Sequence, residues 1–199
     1  MKAYKDNRHW TSTFNNEIVV ITVEIYSVAE QKEGDCMSRK EVTTKEDFMT
    51  VIDILENAEI TYWIDGGWGV DILAGKQTRD HRDIDINFDS RYTEKLLHIL
   101  FEYGYEIDTD WKSVRMELYS EKYGYLDIHP FVLHEDGTAK QASLEGDWYQ
   151  FDKDLFGSSV FEGRTIPCIS VKGQKLFHSG YELRDKDRHD ILLLESMPE

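Results

Sequence analysis

The spacing of apolar positions changes period several times between residues 43 and 130, and each change marks an element. Phe48, Val51, Ile52 and Leu55 recur at helical spacing, and Thr43 with Glu46 forms a capping box, which predicts an amphipathic helix over roughly 45–57. Ile60, Tyr62 and Ile64 then alternate as in a strand, up to Asp65-Gly66-Gly67-Trp68-Gly69, where the glycines predict a tight turn before a short helix through Leu73. Over 81–88, Ile84, Ile86 and Phe88 alternate with Asp83, Asp85 and Asn87, a second strand with its acids on one face. Leu96, Leu97, Leu100 and Phe101 stripe the next helix, which Asp89 or Ser90 caps and Gly104 ends. Strands over 114–118 and 125–129 follow at hairpin distance, so the sheet is partly antiparallel. Further β structure is predicted near 148–151 and 160–169, turning at Glu162-Gly163, and two short helices start near Ser170 and Asp185.

This alternation predicts an α+β fold: a mixed, partly antiparallel sheet flanked by helices. No repeat or low-complexity tract interrupts it. Residues 1–36 have a different texture, a β-branched run at 18–23 and then a polar stretch at 30–35. They are read as an N-terminal extension outside the functional domain, which would span 37–199 and could begin translation at Met37; an edge strand added to the sheet is the alternative. Charge narrows the partners. The 199 residues carry 39 Asp and Glu against 23 Lys and Arg, a net charge of −16, which disfavours nucleic acid. The two cysteines, Cys36 and Cys168, make no disulfide framework, and the most apolar N-terminal stretch is too short and polar for a signal sequence or a membrane span. A reducing, cytoplasmic setting without a membrane partner is expected, with a homodimer left open.

Asp83-Ile84-Asp85 puts two carboxylates on one face of a strand, with Cα atoms about 6.5–7 Å apart. Like charges this close raise each other's proton affinity unless a cation offsets them, and a hard, oxygen-seeking Mg²⁺ is the usual solution. Asp127 sits between Leu126 and Ile128 on the hairpin's second strand. If that strand lies beside the first, three carboxylates converge on a site for two metal ions. Gly66-Gly67, followed by a helix N-terminus, lets main-chain N–H groups approach a phosphate chain, and Lys76, Arg79 and Arg82 lie between this turn and the acids. These parts suit nucleotidyl transfer from a nucleoside triphosphate, with Asp83, Asp85 and Asp127 as metal ligands, Gly66, Gly67, Arg79 and Arg82 binding the nucleotide, and Asp127 as general base.

Tyr62-Trp63-Ile64-Asp65-Gly66-Gly67-Trp68-Gly69-Val70-Asp71, with Thr78-Arg79-Asp80-His81-Arg82-Asp83-Ile84-Asp85, resembles the antibiotic nucleotidyltransferases of the DNA polymerase β superfamily. Arg115-Met116-Glu117-Leu118, Tyr123 to Pro130, Ile166 to Ser170 and Leu176 to Tyr181 are similar to the small lincosamide nucleotidyltransferases, a likeness spanning most of 45–194. The resemblance implies the nucleotidyltransferase fold and transfer of AMP from ATP to a hydroxyl of a lincosamide, with release of pyrophosphate. It also implies Asp83 and Asp85 as metal ligands, Asp127 as the third carboxylate and Gly66-Gly67 as the nucleotide turn.

Other readings compete. His81-Arg82-Asp83 lacks the Asn of a kinase catalytic loop, since Phe88 stands there, and the same Phe88 replaces the glycine of a calcium-binding EF-hand loop. Glu117 rivals Asp127 as base. His81 and His129 are expected to be supporting groups at best. Trp63, Trp68, Trp111 and Trp148 are candidates for an acceptor pocket or for the core, Lys172 and Lys175 for phosphate contact, and His178, Asp187 and Asp190 are undecided. An acidic surface would equally suit an aminoglycoside, and a non-catalytic, antitoxin-like nucleotide-binding module or a metal-dependent glycosyltransferase remains open.

Overall fold

The structure, a computed structural model, describes residues 6–14, 17–25, 38–111, 113–179 and 181–198, the first two segments as backbone only. The chain divides into two units, Met1–Ser38 and Arg39–Glu199. In the first, β1 (Asp6–Phe14) and β2 (Glu17–Ile25) pair antiparallel, and the β-branched run at 18–23 lies within β2. The polar stretch at 30–35, the proposed start at Met37 and Cys36 lie outside the described residues.

The second unit is built on one mixed sheet. Helix α1 (Lys45–Asn57) precedes β3 (Tyr62–Asp65), α2 (Gly66–Ala74), β4 (Asp83–Asp89) and α3 (Thr93–Glu102). Then come β5 (Glu106–Trp111), β6 (Arg115–Ser120), β7 (Gly124–Leu133), β8 (Ala139–Ala142), β9 (Trp148–Phe151), β10 (Phe156–Phe161) and β11 (Arg164–Ile169), and finally α4 (Val171–Phe177) and α5 (Asp185–Glu195). The strand order is β10-β11-β3-β4-β7-β6-β5, with β8 on the far end of β7 and β9 on β8. The β11–β3 and β4–β7 pairs are parallel and the others antiparallel.

Strand alternation sorts the faces. Ile64, Ile84, Ile86, Leu126, Ile128, Met116 and Leu118 are buried in one cluster with Phe48, Val51, Ile52 and Leu55 of α1, Leu96 and Leu100 of α3, and Trp68 and Ile72 of α2. The intervening residues point to the other face, where the acids lie. Val70, Val171 and Leu194 form a smaller cluster that joins α2, α4 and α5.

Two expectations need correction. The capping box of α1 is Thr44 with Asp47, not Thr43 with Glu46: Thr44 Oγ1 accepts from the Asp47 N–H, and Asp47 Oδ2 accepts from the Thr44 N–H. Thr43 is buried and serves the sheet instead, its N–H donating to His81 O and its hydroxyl to Arg82 O, both at 2.8 Å. That extended bridge holds Thr43 in the sheet and leaves the cap to Thr44, while the helix spans Lys45–Asn57 as expected. The glycine pair, expected as a turn ahead of the helix, is the helix's first turn, since α2 starts at Gly66 with Asp65 as its cap.

Candidate active site

Register assembles the site. Asp65 of β3 pairs with Asp85 of β4, Asp85 with Asp127 of β7, and Asp127 with Glu117 of β6. Four acids thus stand in one row across four adjacent strands, because each strand places an acid in the same row between core residues. Two residues toward the start of β4, and so on the same face, Asp83 pairs with Tyr125. Asp65, Asp83, Asp85, Glu117 and Asp127 all line a cleft of about 380 Å³, together with Gly66, Gly67, Arg79, Arg82 and His129. The seven residues expected to bind metal or nucleotide all line this cleft, whereas Lys76 does not.

Asp127 is the most enclosed of the three expected ligands. Arg115 Nη1 donates to its Oδ2, while its Oδ1 is buried without a hydrogen-bond partner and faces His129 Nε2 at 3.6 Å. The same His129 nitrogen lies 3.9 Å from Asp85 Oδ1. Asp85, Asp127 and His129 bring ligand atoms within 4.8 Å of one another. The orphaned Asp127 oxygen beside a second carboxylate is a donor set that fits a cation. Asp83 is outside this closest group, and its Oδ2 accepts from Arg82 Nη1 at 3.2 Å.

Burial and neighbouring charge set the proton affinities. Burial pushes the Asp127 carboxyl up to about 6, the opposing charges of His129 and Arg115 holding it from going higher. Asp83 is raised by burial and by the charge of Asp85. Burial works against the Asp85 carboxylate too, but His129, Lys186 and Arg115 outweigh it and its pKa is lowered. His129 is disfavoured as a cation by burial, yet Asp85 and Asp127 raise its pKa, so an imidazolium can lie between the two carboxylates.

The glycines are required by close approach. Gly66 adopts φ +56°, and a Cβ there would stand 2.8 Å from Asp85 Cγ. Gly67 leaves room for Arg79 and His81, whose Cε1 would lie 2.7 Å from an added Cβ. Beneath this turn runs a chain of polar contacts. Asp71 Oδ2 meets His81 Nε2 at 2.6 Å, Arg79 Nη1 lies 2.9 Å from His81 Nδ1, and Arg79 Nε donates to Asp190 Oδ1 at 2.9 Å. His178 Nε2 approaches Asp190 at 3.8 Å. Asp190 is held down at about 2, since Arg79 and His178 outweigh the effect of its burial.

The expected nucleotide cations are therefore already engaged, Arg79 by Asp190 and Arg82 by Asp83 and by Glu117 at 3.1 Å, with its guanidinium 3.6 Å over the Tyr125 ring. Glu117, the rival base, is occupied by this ion pair. Trp68 is core, stacked on Phe48 at 4.3 Å, and Trp63 packs on Phe156. Trp111 lies under Arg115, and Trp148 beside Lys140. Lys172 pairs with Asp154 at 2.7 Å and, like Lys175, is not part of the cleft wall. Sequence reasoning missed Tyr181, Arg184 and Lys186, which line the cleft from α5 and the segment before it. The only signal was the position of Lys186 one helical turn ahead of Asp190.

Solved structures share this fold. ANT(2″)-Ia in complex with adenylyl-2″-tobramycin matches with a TM-score of 0.59 at 17% identity, over 76% of this chain and 88% of that one. The crystal structure of LnuA, a lincosamide antibiotic adenylyltransferase with lincomycin bound, matches with a TM-score of 0.74 at 49% identity, over 78% of this chain and 98% of that one. Fold and site together define a nucleotidyltransferase. Residues 47–194 match the family model described as aminoglycoside-2″-adenylyltransferase, and a lincosamide resistance protein of Staphylococcus haemolyticus is 50% identical over 161 residues, 81% of this chain and 99% of its own length. The chain belongs to the antibiotic nucleotidyltransferases, in their lincosamide nucleotidyltransferase branch.

Proposed function

We propose that the protein inactivates a lincosamide by transferring AMP from ATP to one of its hydroxyls, releasing pyrophosphate, and that residues 37–199 carry this activity with 1–36 as an extension. The observation that carries the reading is Asp85 and Asp127 opposite each other in register, with side-chain-free Gly66 against Asp85. The names of the two relatives near 50% identity, one an adenylyltransferase with lincomycin bound, support the nucleotide and the acceptor. That the Staphylococcus protein is matched over 99% of its length by 161 residues supports a functional domain shorter than the whole chain. A cytoplasmic location, where nucleoside triphosphates are available, belongs to the reading; no helix among the described residues is long and apolar enough to cross a membrane.

In this mechanism the N-terminal turn of α2 receives the triphosphate, its N–H groups and the bare Gly66-Gly67 backbone approaching the phosphate oxygens. Asp83, Asp85 and Asp127 would hold two Mg²⁺ ions, which when bound neutralise phosphate charge and make the α-phosphorus more electrophilic. The acceptor hydroxyl gives its proton to Asp127, whose raised pKa suits a base working near neutral pH. The hydroxyl oxygen forms a bond to the α-phosphorus as the bond to the bridging oxygen breaks, and pyrophosphate leaves with that electron pair. Arg115 keeps Asp127 oriented toward the cleft.

One observation favours a second acceptor class: the net charge of −16 suits a polycationic aminoglycoside, which the name of the matched family model also describes. A single assay separates the readings. Purified protein with Mg²⁺ is given each nucleoside triphosphate, with lincomycin, kanamycin or neither, and pyrophosphate release and drug mass are followed. One added AMP on lincomycin is expected; addition to kanamycin alone would favour the second acceptor, and no product with either would refute transfer. Asp83→Asn and Asp85→Asn should each abolish product while leaving the thermal transition in place; near-normal turnover in either variant would refute the metal site.

A further inference from the structure

Every arginine lining the cleft is held by a carboxylate: Arg79 by Asp190, Arg82 by Glu117, Arg115 by Asp127, and Arg184 by Asp187 at 2.9 Å. Among the described residues, Lys186 is the one lysine or arginine of the cleft wall with neither an ion pair nor a hydrogen bond. Its position is fixed from elsewhere. Asp190, four residues on and therefore on the same face of α5, clasps Arg79 directly below Gly67. Helical side chains lean toward the helix N-terminus, so Lys186 stands one turn before Asp190 on the face of α5 that lines the cleft.

Lys186 stands close enough to Asp83 and Asp85 for its charge to lower the pKa of both. Asp85 packs against Gly66, so the lysine acts where the glycine turn borders the acids. An ammonium left without a partner in so acidic a cleft is available to an anion that arrives with the substrate, and three rotatable donors on a flexible stem suit a polyphosphate that changes charge as it leaves.

We propose that Lys186 binds the β- and γ-phosphoryl oxygens of the incoming nucleoside triphosphate and holds the pyrophosphate as it departs. This rests on the nucleotidyl-transfer reading and assigns a residue of α5 to its leaving-group side. Asp190 and Arg79 then act as positioning residues, clamping the helix so that Lys186 overhangs the glycine turn.

The test compares wild type, Lys186→Met and Lys186→Arg by calorimetric titration, in Mg²⁺, with an α,β-methylene ATP analogue, AMP and lincomycin. Lys186 is exposed at the first turn of α5, so each variant should keep the wild-type thermal transition. Lys186→Met should weaken binding of the analogue by about tenfold or more, the loss of one charge-assisted contact. AMP and lincomycin should bind as to wild type, and Lys186→Arg should recover most of the loss. Product inhibition by pyrophosphate should weaken in parallel with analogue binding. Unchanged analogue affinity in Lys186→Met, or an equal loss for AMP and lincomycin, would overturn the assignment while wild-type turnover left the transfer reading intact. A wild type that neither binds the analogue nor transfers AMP would overturn both.

Discussion

Gly66→Ala separates the chemical demand on the glycine turn from its conformational demand. Gly66 has φ +56°, a conformation that costs an L-residue about 1–2 kcal/mol. The new methyl would also stand 2.8 Å from Asp85 Cγ and 3.3 Å from its Cβ, where ordinary contact begins at 3.4 Å. The carboxyl carbon must therefore retreat by about 0.6 Å, and its oxygens further, in a site where an error of about 1 Å costs on the order of 100-fold in rate. Gly75→Ala is the control: φ is +72°, and the nearest atom to an added Cβ is Val160 O at 3.6 Å, an unstrained contact. Both variants should lose about 1–2 kcal/mol from backbone strain, lowering the melting temperature by about 2–8 °C, with a further drop for Gly66→Ala. Only Gly66→Ala should lose turnover, by about 100-fold in pyrophosphate release at saturating substrates. If Gly66→Ala kept more than a third of wild-type kcat, or if Gly75→Ala lost as much, the close packing of the turn on Asp85 would have no catalytic meaning.

Proton and metal should compete at Asp127. With its carboxyl pushed up to about 6, Mn²⁺ affinity measured by electron paramagnetic resonance should be flat above about pH 7 and fall as pH drops through 6; Arg115→Met, which removes a charge that lowers this pKa, should move the fall to higher pH. The same raised pKa means that, at this group, the metal-free protein is most stable below about pH 4 and loses that contribution as pH rises through 6. Asp190 runs the other way. Its folded pKa of about 2 against an ordinary 3.8 contributes about 2 kcal/mol at neutral pH, lost as pH falls from about 4 through 2. Asp190→Asn should therefore unfold more readily in urea at pH 7 and show a shallower loss between pH 4 and 2; an unchanged slope would mean that the Arg79 clasp contributes nothing.

The parts of the fold that read clearly in the sequence are those where one face is dry. Helix α1 lies where its apolar spacing put it, and β3, β4, β6 and β7 follow their alternating isoleucines and leucines to within a few residues. Strand β5 carried no such signal: in Glu106–Trp111 nearly every residue is exposed, and Ile107 faces solvent at the sheet edge. Four-residue β8, Ala-Lys-Gln-Ala, is too short for an alternation to show. The acids of β4 and β7 were legible because charge at alternate positions of a buried strand demands a reason. Their exact apposition was not, since a parallel pair is brought into register by a long crossover that no local pattern encodes. Lys186 was invisible for a different reason: a lysine on a surface helix looks like any other until the fold brings that helix over a cleft.

The row of acids bears on folding as well as on chemistry. Asp65, Asp85, Asp127 and Glu117 alternate along their strands with Ile64, Ile86, Ile128 and Leu118, all fully buried. Sliding any one of these strands by a single residue would drive its carboxylate into the hydrocarbon interior and expel an isoleucine or leucine into water, an exchange with no compensating partner. Misaligned sheets are thereby heavily penalised. These acids thus act as alignment pins during assembly, so an apolar replacement in this row would loosen the accuracy of strand pairing whatever its effect on chemistry.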